Sequence, residues 1–228
     1  MLNNYIFVPI GSYEQHGPHL PPATDYLIAK RIVQQVSLVF NGKNVEGIKI
    51  GISPEHEGFD DTKSISPKEF KTQIVDIISR FPEISRFFLI NSHGGNNKFL
   101  NSIQELYKHK VLVLNTFSLI KTDLKAIRTS ELGGICHAGE FETSIMLYLY
   151  PEKVNIKNLK KNDIKYVPFL DPNCKNKKAT DWKTINLSKS GVLGDPSHAT
   201  PEKGEKWFII LIEKIKAEIW DFISKMSK

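Results

Sequence analysis

Near the start of the chain an apolar run, Tyr5 to Ile10, leads straight into two carboxylates and an imidazole: Glu14, His16 and Asp25. They lie in and just after Gly11-Ser12-Tyr13-Glu14-Gln15-His16-Gly17-Pro18-His19-Leu20-Pro21, a turn whose glycines and prolines fix unusual backbone angles. Glu14 and His16 are two apart, so an extended backbone aims both to one side. His93 follows a later apolar run in Asn91-Ser92-His93-Gly94-Gly95-Asn96-Asn97, and Glu140 lies in Cys136-His137-Ala138-Gly139-Glu140-Phe141-Glu142-Thr143-Ser144. Three carboxylates with two imidazoles suit zinc, manganese or iron(II) better than calcium or magnesium, which prefer all-oxygen sets. Five protein ligands are too many for one open catalytic zinc but fit two divalent ions sharing a carboxylate, and Asp25 is the central candidate bridge. Such a pair would acidify a shared water and polarise a carbonyl, enough to hydrolyse an amide without a protein nucleophile. His137 is placed to supply the proton that a departing nitrogen needs.

Plainer readings compete at several positions. A Glu-x-His pair on a loop more often faces water, and a His-Gly-Gly is often only a turn. His19, His56 and His198 lie in Gly/Pro-rich turns and are read first as hydrogen-bonding or rim groups. His109 reads as a cation at a helix end. Glu57, Asp60, Asp61 and Asn97 are either supporting groups or solvent-facing loop residues, and Cys136 is equally a small buried hydrophobe.

The elements that must position these groups follow from periodicity. Tyr5 to Ile10 predicts a buried strand, and Leu27, Ile28, Ile32, Val33, Val36 and Phe40 recur at helical spacing from Asp25 onward. Ile48 to Ile52 predicts a second strand. Ser66-Pro67-Lys68-Glu69 predicts a capping box opening a helix through Phe81. Phe87 to Ile90 and Lys110 to Thr116 predict a third and fourth strand, with a helix Phe99 to Tyr107 between them and a short helix around Leu119 to Ile127. A buried helix Ile145 to Tyr150 stops at Pro151, and a long amphipathic helix runs from Pro201 to about Met226. Short strands alternating with helices predict a mainly parallel sheet covered on both faces. Ligands in such sheets bind beyond the carboxyl ends of the strands, where Ser12 to Asp25, Ser53 to Asp61 and Ser92 to Asn97 would gather.

The bulk of the chain limits the classes open to it. At 228 residues it predicts one domain, 1–228, with a sizeable core. No apolar stretch approaches a membrane span, and the N-terminus has no signal-peptide order, so a soluble cytoplasmic protein without a membrane partner is expected. Cys136 and Cys174, far apart, point to neither a disulfide framework nor a zinc-thiolate site. The net charge of +6 is spread over helices and the Lys153 to Lys178 region, with one compact group at Lys175-Asn176-Lys177-Lys178. That spread favours an ordinary solvated surface over nucleic-acid binding and also suits an anionic small substrate. Val154 to Ser190, polar and aperiodic, predicts a surface excursion and a candidate subunit contact.

The run Gly11 to Pro21 with Asp25, the Asn91 to Asn96 turn, His137-Ala138-Gly139-Glu140-Phe141-Glu142-Thr143-Ser144, Gly194-Asp195-Pro196 and Glu202-Lys203-Gly204 together resemble the creatininase (creatinine amidohydrolase) family. The matches run from residue 8 to about 204. The resemblance implies a three-layer α/β/α domain, a binuclear metal centre, an oligomeric protein and cleavage of a non-peptide or cyclic amide. It implies one metal held by Glu14, Asp25 and His93 and another by His16, Asp25 and Glu140, with His137 as the catalytic histidine. Glu142 is then a supporting group, or exchanges roles with Glu140. True creatininases carry a ligand glutamate two residues after the histidine of the third-strand turn, where this chain has Gly95, and tryptophans that close over creatinine, absent from Phe117 to Cys136. The Gly-Gly turn with Glu140, which would replace that glutamate, is similar instead to members that deformylate a formylamino-pyrimidine ribosyl phosphate in flavin and deazaflavin synthesis, and to others that process a modified peptide. The expected activity is such a deformylation of a small, phosphorylated amide; the alternatives are hydrolysis of creatinine or another cyclic amide, or a metal-binding scaffold without turnover.

Overall fold

The computed structural model describes residues 4–84, 86–175 and 182–225. Four parallel strands, β1 (Tyr5–Ile10), β2 (Lys43–Asn44), β3 (Arg86–Asn91) and β4 (Val111–Asn115), lie in the order β2-β1-β3-β4. Alternation along them sends side chains to two separate cores. Ile6, Val8, Ile10, Phe87, Leu89 and Val111 pack against the apolar faces of α2 (Pro67–Ser79) and α3 (Asn97–Leu106). Phe7, Phe88 and Ile90 pack on the other face against α1 (Thr24–Val39), α6 (Glu140–Leu149) and α8 (Pro201–Lys225). The result is the expected α/β fold, a parallel sheet between helical layers.

Between β4 and α6 the chain makes two short helices, α4 (Thr116–Leu119) and α5 (Lys121–Ile127), where the sequence predicted one. The second strand also lies earlier than the apolar run Ile48 to Ile52 predicts. β2 pairs Lys43 with Ile6 and Asn44 with Phe7, and Ile48 then makes only an isolated bridge to Ile10. Pro9 is the cause. Its carbonyl accepts from the Ile48 amide on the β2 side of the strand, but it has no N–H to return there, so the ladder breaks.

Residues 154–190 form the expected excursion, a chain of single turns and one short helix, α7 (Thr184–Leu187), through the described part. Asn176, Lys177 and Lys178 of the basic group, and Met226 at the end of the long helix, lie outside the described residues. No helix among the described residues is long and apolar enough to cross a membrane.

Two close approaches fix the frame of the site. A Cβ on Gly11 would stand 2.3 Å from the Tyr26 amide nitrogen, so only glycine lets the end of β1 touch the start of α1 and bring Asp25 beside it. Asn96 then ties three segments: its Nδ2 donates to Gly11 O at 3.0 Å, and its Oδ1 accepts from the Ile52 amide at 3.0 Å.

Candidate metal centre

The turns after β1 and β3, the single turn Pro54–His56 and the loop entering α6 converge beyond the carboxyl ends of the strands, as a parallel sheet predicts. Asp25 sits at their centre. Its Oδ1 lies 3.4 Å from His16 Nε2 and its Oδ2 lies 3.2 Å from His93 Nδ1. Glu14 Oε2 is 3.3 Å from the same His93 nitrogen, and Glu142 Oε2 is 3.8 Å from the same His16 nitrogen. Three donor groups result: Glu14 with Asp25 and His93, and His16 with Asp25 and Glu142, which share Asp25, and a third of Glu14, His16 and His137.

Each imidazole is turned by its other nitrogen. His93 Nε2 bonds Ile52 O at 3.0 Å and Ser53 Oγ at 3.2 Å, leaving Nδ1 for the centre. His16 Nδ1 donates to Glu14 O at 2.9 Å, leaving Nε2 inward. Such outer contacts fix tautomer and ring direction in metal sites. Ser12 Oγ donates to Asp25 Oδ2 at 2.7 Å, and the Ala138 amide to Glu142 Oε2 at 2.6 Å.

Glu140 is the correction. The sequence assigned it as a ligand, but its carboxylate points away from the centre, accepting from the Thr129 and Ser130 amides at 2.9 Å each and pairing with Lys203 Nζ at 2.5 Å. Two residues of an α-helix are about 200° apart, so Glu140 and Glu142 cannot face the same way once α6 begins at Glu140. Glu142 takes the inward position.

Burial opposes charge throughout the cluster, and the neighbours decide the outcome. It would push the Glu14 and Asp25 carboxyls up, but His93 and His16 hold both well below the usual range. It would likewise strip the proton from His16, which Asp25, Glu142 and Glu14 instead pull up to about 9; Glu14 and Asp25 raise His93 well above its ordinary value. Burial does prevail at Glu142, pushed up to about 7 against the pull of His16. In effect two protons on imidazoles hold the ionised carboxylates together. Glu14 Oε2 and His16 Nε2, both buried, have no hydrogen-bond partner. Unfilled inward donors and mixed N/O chemistry fit divalent cations of the zinc, manganese or iron(II) kind.

Two further imidazoles stand over the cluster. His137, assigned from the sequence as proton donor, has Nδ1 3.6 Å from Glu14 Oε1 and its ring 4.4 Å from that of His16. His56, read from the sequence as a rim group, is 2% exposed, with Nε2 3.4 Å from Glu14 Oε1 and its ring 4.2 Å from His137. Burial drives both below their ordinary value, His56 to about 4. Among the other candidates, His19 bonds Thr143 Oγ1, His198 bonds Thr129 Oγ1, Asn97 supports Asn91 and Glu57 pairs with Lys183 outside the cluster.

The cluster floors a cavity of about 760 Å³ whose walls include Ile28, Phe117, Phe141, Leu170 and Trp182. Trp182 comes from the excursion and meets the His56 ring edge-on at 6.1 Å. Sequence reasoning sought a covering tryptophan only before the catalytic histidine, and nothing local marks one that reaches back from so far along the chain.

Residues 2–219 match the family model "Creatininase: Creatinine amidohydrolase". A "Mycofactocin precursor peptide peptidase" of Mycolicibacterium smegmatis is 30% identical over 91% of this chain and 81% of its own length. A "2-amino-5-formylamino-6-ribosylaminopyrimidin-4(3H)-one 5'-monophosphate deformylase" of Methanobrevibacter smithii is 27% identical over 68% of this chain and 72% of its own. Among solved structures, one titled "Creatininase Mn" superposes with a TM-score of 0.79 over 95% of this chain and 90% of that one, at 23% identity, so the fold is the same. With its candidate ligand turns gathered at one sheet edge and the family model spanning nearly its whole length, the chain belongs to the creatininase family of metal-dependent hydrolases that cleave carbon–nitrogen bonds.

Proposed function

We propose that this chain hydrolyses the carbon–nitrogen bond of a small-molecule amide at a two-metal centre, held by Glu14, Asp25 and His93 on one side and His16, Asp25 and Glu142 on the other. The observation that carries this reading is the Asp25 carboxylate, with one oxygen towards His16 and the other towards His93. Bound divalent ions would supply an acidified water and an electrophile for the amide oxygen. The protein's own part is proton handling and orientation. His137 Nδ1, kept neutral by burial, takes the proton lost by the attacking water and returns it to the departing nitrogen. The apolar walls exclude bulk water from the exchange.

The substrate named first by the sequence is a formylamino-pyrimidine ribosyl phosphate, which would release formate. The relative named as such a deformylase supports it, as does a cavity roomier than creatinine requires. A 5'-phosphate would have to be held at Lys183, the single lysine or arginine on the described wall, whose ammonium already bonds Pro54 O and Glu57 Oε2 at 2.7 Å each. The apolar wall and the resemblance to the mycofactocin precursor peptidase favour a second reading, an amide at the end of a modified peptide. We read the enzyme as a cytoplasmic homo-oligomer, the first on the grounds that Cys136 and Cys174 are not disulfide-bonded.

Anaerobic purification with elemental analysis, followed by assays after restoring zinc, manganese or iron(II), tests the proposal. Two metals per chain with formate release supports the deformylase. Two metals with cleavage of a modified-peptide amide and no formate supports the second reading. One metal or none, with no hydrolysis of either, overturns the two-metal proposal.

A further inference from the structure

Gln15 lies between the two ligands Glu14 and His16, is 2% exposed and touches both histidines that stand over the centre. Its amide orientation is fixed from both ends. Oε1 accepts from the Gly17 amide at 3.1 Å, and Nε2 lies 3.1 Å from Gly191 O, which can only accept. A flipped amide would break both contacts, so the NH₂ group faces the histidines.

That group has two hydrogens. One goes to Gly191 O, and the other to His56 Nδ1 at 2.8 Å, since the alternative neighbour, His137 Nε2 at 2.9 Å, is already committed. His137 Nε2 lies 2.7 Å from Gln15 O, an oxygen that cannot donate, so this nitrogen carries its own hydrogen. His56 Nδ1, receiving a hydrogen, is bare; Thr184 Oγ1, 3.1 Å from it, can donate a second. In a neutral imidazole one nitrogen has the proton and the other does not. His137 therefore presents a bare Nδ1 and His56 a protonated Nε2, both towards Glu14 Oε1 and the cavity.

We propose that Gln15 is a positioning residue that locks His137 and His56 both in the Nε2–H tautomer, its backbone carbonyl fixing one and its side-chain amide the other, so that the two rings turn opposite nitrogens to the centre. The lock gives the centre one proton acceptor and one hydrogen-bond donor at the same edge. His137 can then take up a proton at Nδ1, while His56 Nε2–H is free to donate to a substrate oxygen or to Glu14. The naming of His137 as proton carrier rests on the proposed function; the tautomers themselves are readable without any substrate.

Long-range nitrogen–proton correlation spectra of the zinc-loaded protein at neutral pH, with 15N-labelled histidine, read each tautomer directly. The expected result is His56 bare at Nδ1 and His137 bare at Nδ1. In Gln15→Glu the new carboxylate can only accept, so His56 gains a proton at Nδ1 while His137, held by the backbone carbonyl, keeps its pattern. In Gln15→Met, which removes the amide but keeps the bulk, His56 becomes a mixture of tautomers and the zinc content stays as in the parent protein. The proposal is overturned if parent His56 carries its hydrogen on Nδ1, or if both variants leave His56 unchanged. Should either variant fail to fold, the parent spectrum decides alone. Loss of hydrolysis without a tautomer change would count against the proposed role of His137 and not against the lock.

Discussion

Glu140 and Glu142 stand on opposite sides of the first turn of α6, one bonded to Lys203 and the other 3.8 Å from His16. Their separation of about 200° gives two acidic residues of one motif unrelated tasks. Glu142 faces the centre. Glu140, completely buried, accepts the Thr129 and Ser130 amides and meets the ammonium of Lys203 from the first turn of α8, so it pins α8 to α6, the helix that carries Phe141 and Glu142 into the cavity.

The two glutamates should therefore fail differently. Glu142→Gln is expected to lower the bound metal towards one per chain and cut turnover by more than the roughly 10–100-fold typical of a supporting group, with little change in stability when both proteins are compared metal-free. Glu140→Gln should keep both metals and most of the activity of the folded fraction, but lose roughly 3 kcal/mol of stability because Lys203 is left without its counter-charge. Elemental analysis and urea denaturation of the same preparations separate the outcomes.

Metal removal should leave the fold and lower its melting temperature. The ionised Glu14 and Asp25 are held in the metal-free chain by protons on His16 and His93, so chelation exchanges cations for protons. Restoring zinc or manganese at about 100 times its dissociation constant should add about 2.7 kcal/mol for each site filled, or roughly 5–10 °C per site. Differential scanning calorimetry in Asp25→Asn, which removes the shared charge, should show little of that increment.

A third prediction concerns how α8 rests on α6. A Cβ on Gly204 would stand 1.9 Å from Ser144 O, against backbone that cannot step aside. Gly204→Ala should cost at least about 1–3 kcal/mol by overpacking, seen as a lower urea midpoint with an unchanged slope. Since Lys203 is its neighbour, combining Gly204→Ala with Glu140→Gln should give less than the sum of the two losses.

What the sequence made legible is what local chemistry decides. The apolar runs of β1, β3 and β4 announce a buried parallel sheet. The capping box at Ser66 is likewise complete within four residues: Ser66 Oγ accepts from the Glu69 amide, and Glu69 Oε2 accepts from the Ser66 amide. Glu14, His16, Asp25 and His93 are marked by turns directly after strands. The rest depends on relations that no short stretch contains. Whether Glu140 or Glu142 faces inward is set by the residue at which α6 starts. β2 is displaced by a proline in its neighbour, His56 lies in a stretch the sequence marks but its approach to Glu14 is set by the fold, and Trp182 reaches the cavity from a loop whose composition looks ordinary. Lys203 shows its purpose only beside a glutamate 63 residues away.

Asp195 offers a pH-dependent prediction away from the metal ligands. It closes the excursion onto the entrance of α8: Tyr166 Oη donates to its Oδ2, and the Ser197 amide and hydroxyl donate to its Oδ1 at 3.0 and 2.5 Å. Burial raises its pKa, but the Ser197 and Tyr166 hydrogen bonds together hold it below the ordinary value, with His198 Nε2 3.6 Å away assisting. A carboxyl depressed in the folded state binds fewer protons there than in the unfolded chain, so its stabilising contribution is complete above the unfolded value of about 3.9 and declines as pH falls through the folded one. Asp195→Asn should therefore be less stable than the parent at pH 6 and 7 by the same margin, and the margin should narrow below about pH 4. Thermal melts across that range check the sign. A margin that widened on acidification would show the carboxyl to be raised, and the Tyr166 contact to be made by a protonated acid.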